Sequence, residues 1–394
     1  MTNVPCESRV YLDYNASAPM RPEARAATLA ALDECGNASS VHAEGRAART
    51  LVENARGRVA RLLGGDPRNV VFVSGATEAA NLLLTPSLRD GDHRFDDLWI
   101  CEAEHPCVLA GHRFPVRRTT PMPVDARGRF DIGALERALM EHDGAVMLAL
   151  QAANNETGVI HSVAEASRLV HAHGGVVVCD AVQLAGRGVC TFASLGADAI
   201  FISSHKLGGP KGAGAIAFAR GELHIDEPLI KGGGQERGAR GGTENVAAIA
   251  GFGAAVEVAA WDKDAETERL GQLRAKLENE LRADIPDLVI FGENVPRLAN
   301  TSAFAVPGIS AETLLMALDI AGFAVSSGSA CSSGKVKASH VLATMGVDDH
   351  IARGALRISL GWASRESDIE RFCETFQKTV RGIRARRASL AARI

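Results

Sequence analysis

The sequence predicts an α/β fold: a mostly parallel sheet flanked by helices, followed by a smaller α+β unit. Three observations predict it. Short apolar runs alternate with helical patterns over the first two-thirds of the chain. Those runs are nearly continuous in apolar character, as strands buried on both faces are. After about residue 255 the pattern changes to long charged helices and brief strands.

Taken in order, residues 44–65 place Ala48, Leu51, Val52, Ala55, Val59 and Leu62 on one helical stripe. "NVVFVS" (69–74) is short and β-branched, and "GATEAANLLL" after it reads as a helix start. Further strands are expected at 98–104, 145–155, 176–180, 198–204 and 213–219, with a glycine-stopped helix over 162–175. "ETERLGQLRAKLENELRADIPDL" reads as a long amphipathic helix, and 300–306 and 355–361 as short strands. The last helix spaces Ile369, Phe372, Cys373, Phe376, Val380 and Ile383 along one face, with Ser367 and Glu370 fitting a capping box. This pattern divides the chain into a larger unit over 15–255 and a smaller one made of 1–14 and 256–394.

Composition narrows the classes of function. The net charge of −4 gives no global basic field for nucleic acid. No apolar run reaches 18 residues, so no membrane span is expected. The first residues lack a basic region followed by an apolar one, so no secretory signal is expected. The eight cysteines show no CxxC pair and no zinc spacing. They read as reduced thiols in a compartment such as the cytoplasm, with no metal site.

In open parallel sheets, ligands bind beyond the carboxyl ends of the strands. Gly75, Ala76 and Thr77 stand there after the first strand, at a helix N-terminus. His105, then Asn154 and Asn155, then Asp180 and Gln183, then Ser203, Ser204, His205 and Lys206 follow the next four. Each alone has an ordinary structural reading, as a cap, a turn residue or a surface side chain. Together they suit pyridoxal phosphate, which needs a lysine amine for its aldehyde and a carboxylate for its ring nitrogen. Lys206 and Asp180 can supply these. Backbone amides at Ala76 and Thr77, with the Thr77 hydroxyl, form an anion site for the phosphate, and Ser203 and His205 add donors. His105 can stack on the ring, and Gln183 or Asn155 can reach its phenolic oxygen. Lys211 is a second lysine nearby. Lys206 is preferred because it stands immediately beyond a strand, whereas Lys211 lies in a Gly-Pro turn.

On these residues the chain resembles the pyridoxal-phosphate-dependent cysteine desulfurases of the NifS/IscS type, fold-type-I enzymes of the class-V aminotransferase family. The matching stretches include "YLDYNASAP" (11–19), "SGATEAAN" (74–81), "EHPCVL" (104–109), "NNETGVI" (154–160), "CDAVQ" (179–183), "SSHKLGGPKGAG" (203–214), "GGGQERGARGGTEN" (232–245), "SSGSACSSGK" (326–335) and "ALRISLG" (355–361). The resemblance implies a homodimer that converts L-cysteine to L-alanine and passes the sulfur to an acceptor such as an iron–sulfur scaffold protein. It makes Lys206 the cofactor lysine, Asp180 the ring-nitrogen partner and His105 the acid/base. Thr243 would reach the phosphate in the other subunit. Asn155 and Arg357 would hold the substrate carboxylate. For Arg357 an internal ion pair is the alternative.

Cys331 matches the family's nucleophile, the residue that receives sulfur as a persulfide. Its neighbours are serines and glycines, a composition expected of a moving tether. Its segment resembles that of the long-loop members of the family. Two departures stand out: Ser17-Ala18, where many relatives have Thr-Thr or Thr-Ala, and Trp362. Neither is expected to touch the chemistry.

Three other enzyme activities share the cofactor site: selenocysteine lyase, cysteine-sulfinate desulfinase and aminotransferase. The first two depend less on Cys331. A nucleic-acid-binding reading would rest on "KGGGQERGARGG" (231–242) and the basic "RGIRARR" (381–387), but neither has interleaved aromatics for stacking. The basic tail could instead dock an acceptor protein, or be an ordinary solvated helix end.

Overall fold

The computed structural model describes residues 9–327 and 339–391. Cys331 and Cys6 therefore lie outside the described residues. Seven strands form the central sheet in the order Val70–Val73, Gly214–Phe218, Ala199–Ser203, Val176–Asp180, Val146–Gln151, Asp97–Cys101 and Thr119–Met122. All run parallel except Gly214–Phe218, which is antiparallel to both neighbours. Strand Val176–Asp180 is buried at every position, and so is Val146–Gln151. This is why these segments read as unbroken apolar runs. Separate apolar clusters form on the sheet's two faces. One joins Val177 and Ile200 to the helices, and the other joins Val178 and Phe201 to helix Ala76–Leu83.

Helix Val246–Trp261 is apolar nearly all round because it packs on both Pro22–Leu32 and Ala43–Leu63. Close approach requires Gly251, where a Cβ would stand 2.0 Å from Thr28 Oγ1. Residue 255, the expected boundary, falls inside this helix. Ala259 still packs with the larger core, and Leu270 is the first residue of helix Lys263–Asp284 in the second. The chain passes from one core to the other near Asp262.

The second core joins Val10 and Leu12 to helix Lys263–Asp284 and to helix Glu366–Ala391. Its sheet is antiparallel, in the order Val289–Ile290, Thr301–Ala305, Ala355–Ser359. The last helix buries Ile369, Phe372, Cys373, Phe376 and Val380 as its spacing predicts. Its start differs from expectation. The helix begins at Glu366, and Asp368 accepts the Arg365 N–H at 2.9 Å. The cap is built two residues earlier than Ser367 and Glu370 suggested. The basic stretch 381–387 is interior to this helix and bonded to its own chain. Arg381 pairs with Asp284 at 3.1 Å and Arg384 with Asp287 at 2.6 Å.

The glycine-rich segment 231–242 is also spent internally. Glu236 takes both Arg56 Nη atoms, at 2.7 and 2.9 Å, and the Phe72 N–H at 2.9 Å. It does so from a left-handed backbone (φ 48°), a conformation costly for a non-glycine residue. Arg240 pairs with Glu78 at 2.9 Å, in the first turn of helix Ala76–Leu83. Glu236→Gln should leave the buried Arg56 charge under-compensated and cost about 3 kcal/mol. Denaturant unfolding reads this as a lower midpoint at unchanged slope. An unmoved midpoint would show that the pair contributes nothing.

Candidate active site

The strand ends converge on one cleft of about 510 Å³. Ala76, Thr77, His105, Asn155, Asp180, Gln183, Ser203, His205 and Lys206 all line it, with Lys211 alongside. Five strands reach it because each stops where its apolar run stops. Asp180 is the last residue of its strand and pairs in register with Gln151. Lys206 closes the short 3₁₀ turn Ser204–Lys206 that follows strand Ala199–Ser203.

Asp180 is buried, and its carboxylate accepts the Val182 N–H at 2.9 Å. Burial pushes its pKa up, while that N–H and the Lys206 charge pull it down. Glu104 lies fully buried nearby, and neither carboxyl oxygen has a hydrogen-bond partner among the described residues. Burial and the Asp180 charge raise its pKa well above the usual range. The Lys206 amine donates to the Asn15 carbonyl. Burial, then the Arg357 and Arg187 charges, bring its pKa down to about 8.

His105 caps helix Pro106–Leu109, its Nδ1 accepting the Cys107 N–H at 3.2 Å. Burial lowers its pKa to about 4, so the ring is neutral with its proton on Nε2. His205 is likewise lowered to about 4 by burial and meets Ser17 Oγ at 3.3 Å. Gly75 leads into helix Ala76–Leu83 with no side chain capping its first amides. Gly214 lets the neighbouring strand pass close to it, since a Cβ there would come within 2.8 Å of Gly75 Cα.

Two expected residues do not line this cleft. Thr243 is exposed and does not line the cleft. Arg357 also lies outside the lining and is buried, with Nη2 paired to Asp13 at 2.7 Å and Nη1 on the Asn155 carbonyl at 2.9 Å. The internal ion pair is the arrangement present. Cys331 is outside the described residues. Described residues on either side of its segment, however, are anchored beside the site. Ser326 bridges the Arg357 backbone, and the Ser339 hydroxyl donates to Glu156. Asn154, one of the strand-end candidates, is a turn residue whose Oδ1 accepts the Glu156 and Thr157 N–H groups.

The sequence reading passed over several residues. Ser17 lines the cleft and touches His205. Cys107 and Gln151 line it too. Asn15 donates its side-chain N–H groups to Thr301 and Asn155 and receives bonds from Arg187 and Asn300. Trp362, as expected, is outside the lining and donates to the Pro19 carbonyl.

These groups fit pyridoxal phosphate. A partly buried amine of lowered proton affinity, a buried carboxylate with no cation bonded to it, and an uncapped helix start beside hydroxyl and imidazole groups are what its aldehyde, ring nitrogen and phosphate require. The volume suits a small-molecule site. Such a cleft, at the carboxyl edge of a mostly parallel sheet, defines a pyridoxal-phosphate enzyme of fold type I. The chain belongs to the class-V aminotransferase family, whose pattern matches residues 10–372. It is 38% identical over 390 residues to an IscS-like cysteine desulfurase of Mycobacterium tuberculosis, covering 97% of this chain and 98% of that one. It is 35% identical over 380 residues to the cysteine desulfurase IscS of Dictyoglomus turgidum, covering 95% of each. The structure resembles that of a NifS-like protein from Rickettsia africae with a TM-score of 0.85, at 32% identity over 94% of this chain and 99% of that one.

Proposed function

We propose that the protein is a pyridoxal-phosphate-dependent cysteine desulfurase. It converts L-cysteine to L-alanine and moves the sulfur, as a persulfide on Cys331, to an acceptor protein in iron–sulfur cluster assembly. The convergence of Lys206, Asp180 and the Ala76–Thr77 helix start on one cleft supports this reading most directly. The names of full-length relatives support the choice of substrate.

The cofactor, when bound, supplies an electron sink for the bonds at the substrate's α-carbon. Lys206 would hold its aldehyde carbon, and Asp180 would pair with its ring nitrogen. Ala76, Thr77, Ser203 and His205 would hold the phosphate, and Gln183 the phenolic oxygen. His105, neutral and partly buried, takes and returns protons at Nε2. Asn155 and Arg357 bind the substrate carboxylate, for which Arg357 must share its charge with Asp13. Cys331 attacks the substrate sulfur as a thiolate. The carbon–sulfur bond breaks, its electron pair stays with carbon, and a proton completes alanine.

The active form is a cytoplasmic homodimer in which Thr243 reaches the partner subunit's cleft. No described helix is long and apolar enough to cross a membrane. Incubation of purified protein with L-cysteine and a reductant tests the reading. Alanine and sulfide should appear in equal amounts. Formation of a keto acid, or no turnover by cofactor-loaded protein, would refute it.

A further inference from the structure

Arg187 has no role in the reaction as set out above, yet it is bonded to three parts of the site. Its Nη1 donates to Asn15 Oδ1 at 2.8 Å and to Gln183 Oε1 at 2.6 Å. Its Nη2 donates to the Tyr14 carbonyl at 3.4 Å and the Lys206 carbonyl at 3.2 Å. Among the described residues no carboxylate lies within ion-pair distance of it. Burial brings its pKa down to about 10, against the pull of Glu266, which still leaves it charged at neutral pH.

Two consequences follow from guanidinium chemistry. Arginine only donates, so the Gln183 amide must turn its oxygen to Arg187. The Gln183 nitrogen then donates to the Asn15 carbonyl at 3.1 Å, and what remains for the cleft is an N–H. The second consequence is electrostatic. Lys206 is faced by Arg357 and Arg187, which disfavour its protonation, and by Asp180 and Asp13, which favour it. The nearby His105 and His205 rings are held neutral by burial, and Lys211 stands exposed on the lining. The Arg357 charge is already compensated by Asp13 at 2.7 Å. Of the two arginines, Arg187 has no carboxylate at ion-pair distance among the described residues.

We propose that Arg187 is a positioning residue that fixes Gln183 as a donor toward the cleft and keeps a positive charge, with no carboxylate at ion-pair distance, behind Lys206. The role rests on the reading of the cleft as a pyridoxal phosphate site. By disfavouring protonation of the amine, it prepares Lys206 to capture the aldehyde.

The test uses apoprotein freed of cofactor and recombined with pyridoxal phosphate across a range of pH, alongside cofactor loss from the loaded enzyme. In the wild type, capture should rise with pH to a midpoint near 8. Arg187→Met should move the midpoint up by about one unit, slowing capture at pH 7 roughly tenfold. Arg187→Lys keeps the charge but not the planar fork. It should hold the wild-type midpoint while releasing cofactor several-fold faster. A merely structural role would lower thermal stability and slow capture equally at every pH. Arg187→Met with the wild-type midpoint, or Arg187→Lys with wild-type retention, would overturn the proposal. The second result decides even if Arg187→Met does not fold. Wild-type apoprotein that never captures pyridoxal phosphate would overturn the reading of the cleft itself.

Discussion

Lys206→Ala is expected to lower release of alanine and sulfide from L-cysteine at least ~10³-fold. It should also abolish covalent retention of pyridoxal phosphate. The position allows no easy substitute. Lys206 stands on a tight turn directly after a buried strand, with its amine on the Asn15 carbonyl and its own carbonyl on Arg187. A pKa near 8 rather than 10.5 raises the neutral fraction of the amine at pH 7 about 300-fold. Lys211 lines the same cleft but is exposed in a turn, with no hydrogen bond or ion pair of its amine among the described residues. Borohydride treatment followed by mass measurement should show the cofactor's mass on wild type and not on the variant. Full turnover by Lys206→Ala, or cofactor trapped on Lys211, would remove Lys206 from its assigned role.

The residues most legible in the sequence are those whose position follows from local pattern. Asp180, His105 and Lys206 each stand where an apolar run ends, so strand periodicity alone brings them to the edge of the sheet. Residues whose meaning comes from a distant contact were hidden. Arg357 shows itself as a charge inside an apolar strand, but its partner Asp13 lies 344 positions away. Asn15 reads as one polar residue near the N-terminus, although it joins both cores through Thr301, Asn300 and Arg187. Arg187 left a faint signal, standing four residues after a site glutamine in a turn. Ser17 was discounted as a family departure, and only the fold shows it against His205. The last helix was found by its stripe but started too late, because Asp368 caps it as well as a Ser-Glu pair would.

Cys331→Ala should abolish persulfide formation and reduce sulfide release from L-cysteine at least ~10³-fold, the scale expected when a nucleophile is removed. Cofactor absorbance and thermal stability should stay at wild-type levels. The described cysteines argue for this by their surroundings. Cys101, Cys179, Cys190 and Cys373 are buried, and burial raises each thiol's pKa, which suppresses the thiolate. Cys35 is exposed but does not line the cleft. Cys107 does line it, yet burial, with the Asp180 and Glu104 charges, pushes its pKa far up. Cys331 lies outside the described residues, and its segment begins and ends beside the site. Four residues separate it from Ser326, which is bridged to Arg357, so covalent geometry limits it to about 18 Å from that backbone. Ser339, on the other side, is held by Glu156, next to Asn155. Mass mapping of the protein after a single turnover with L-cysteine, without reductant, decides the matter. An added sulfur on Cys331 in wild type, with none anywhere in Cys331→Ala, is the expected pair of results. Sulfur found on Cys107 in the variant at the wild-type rate would move the acceptor into the wall of the cleft, and would require that thiol to ionise against the field of two buried carboxyl groups.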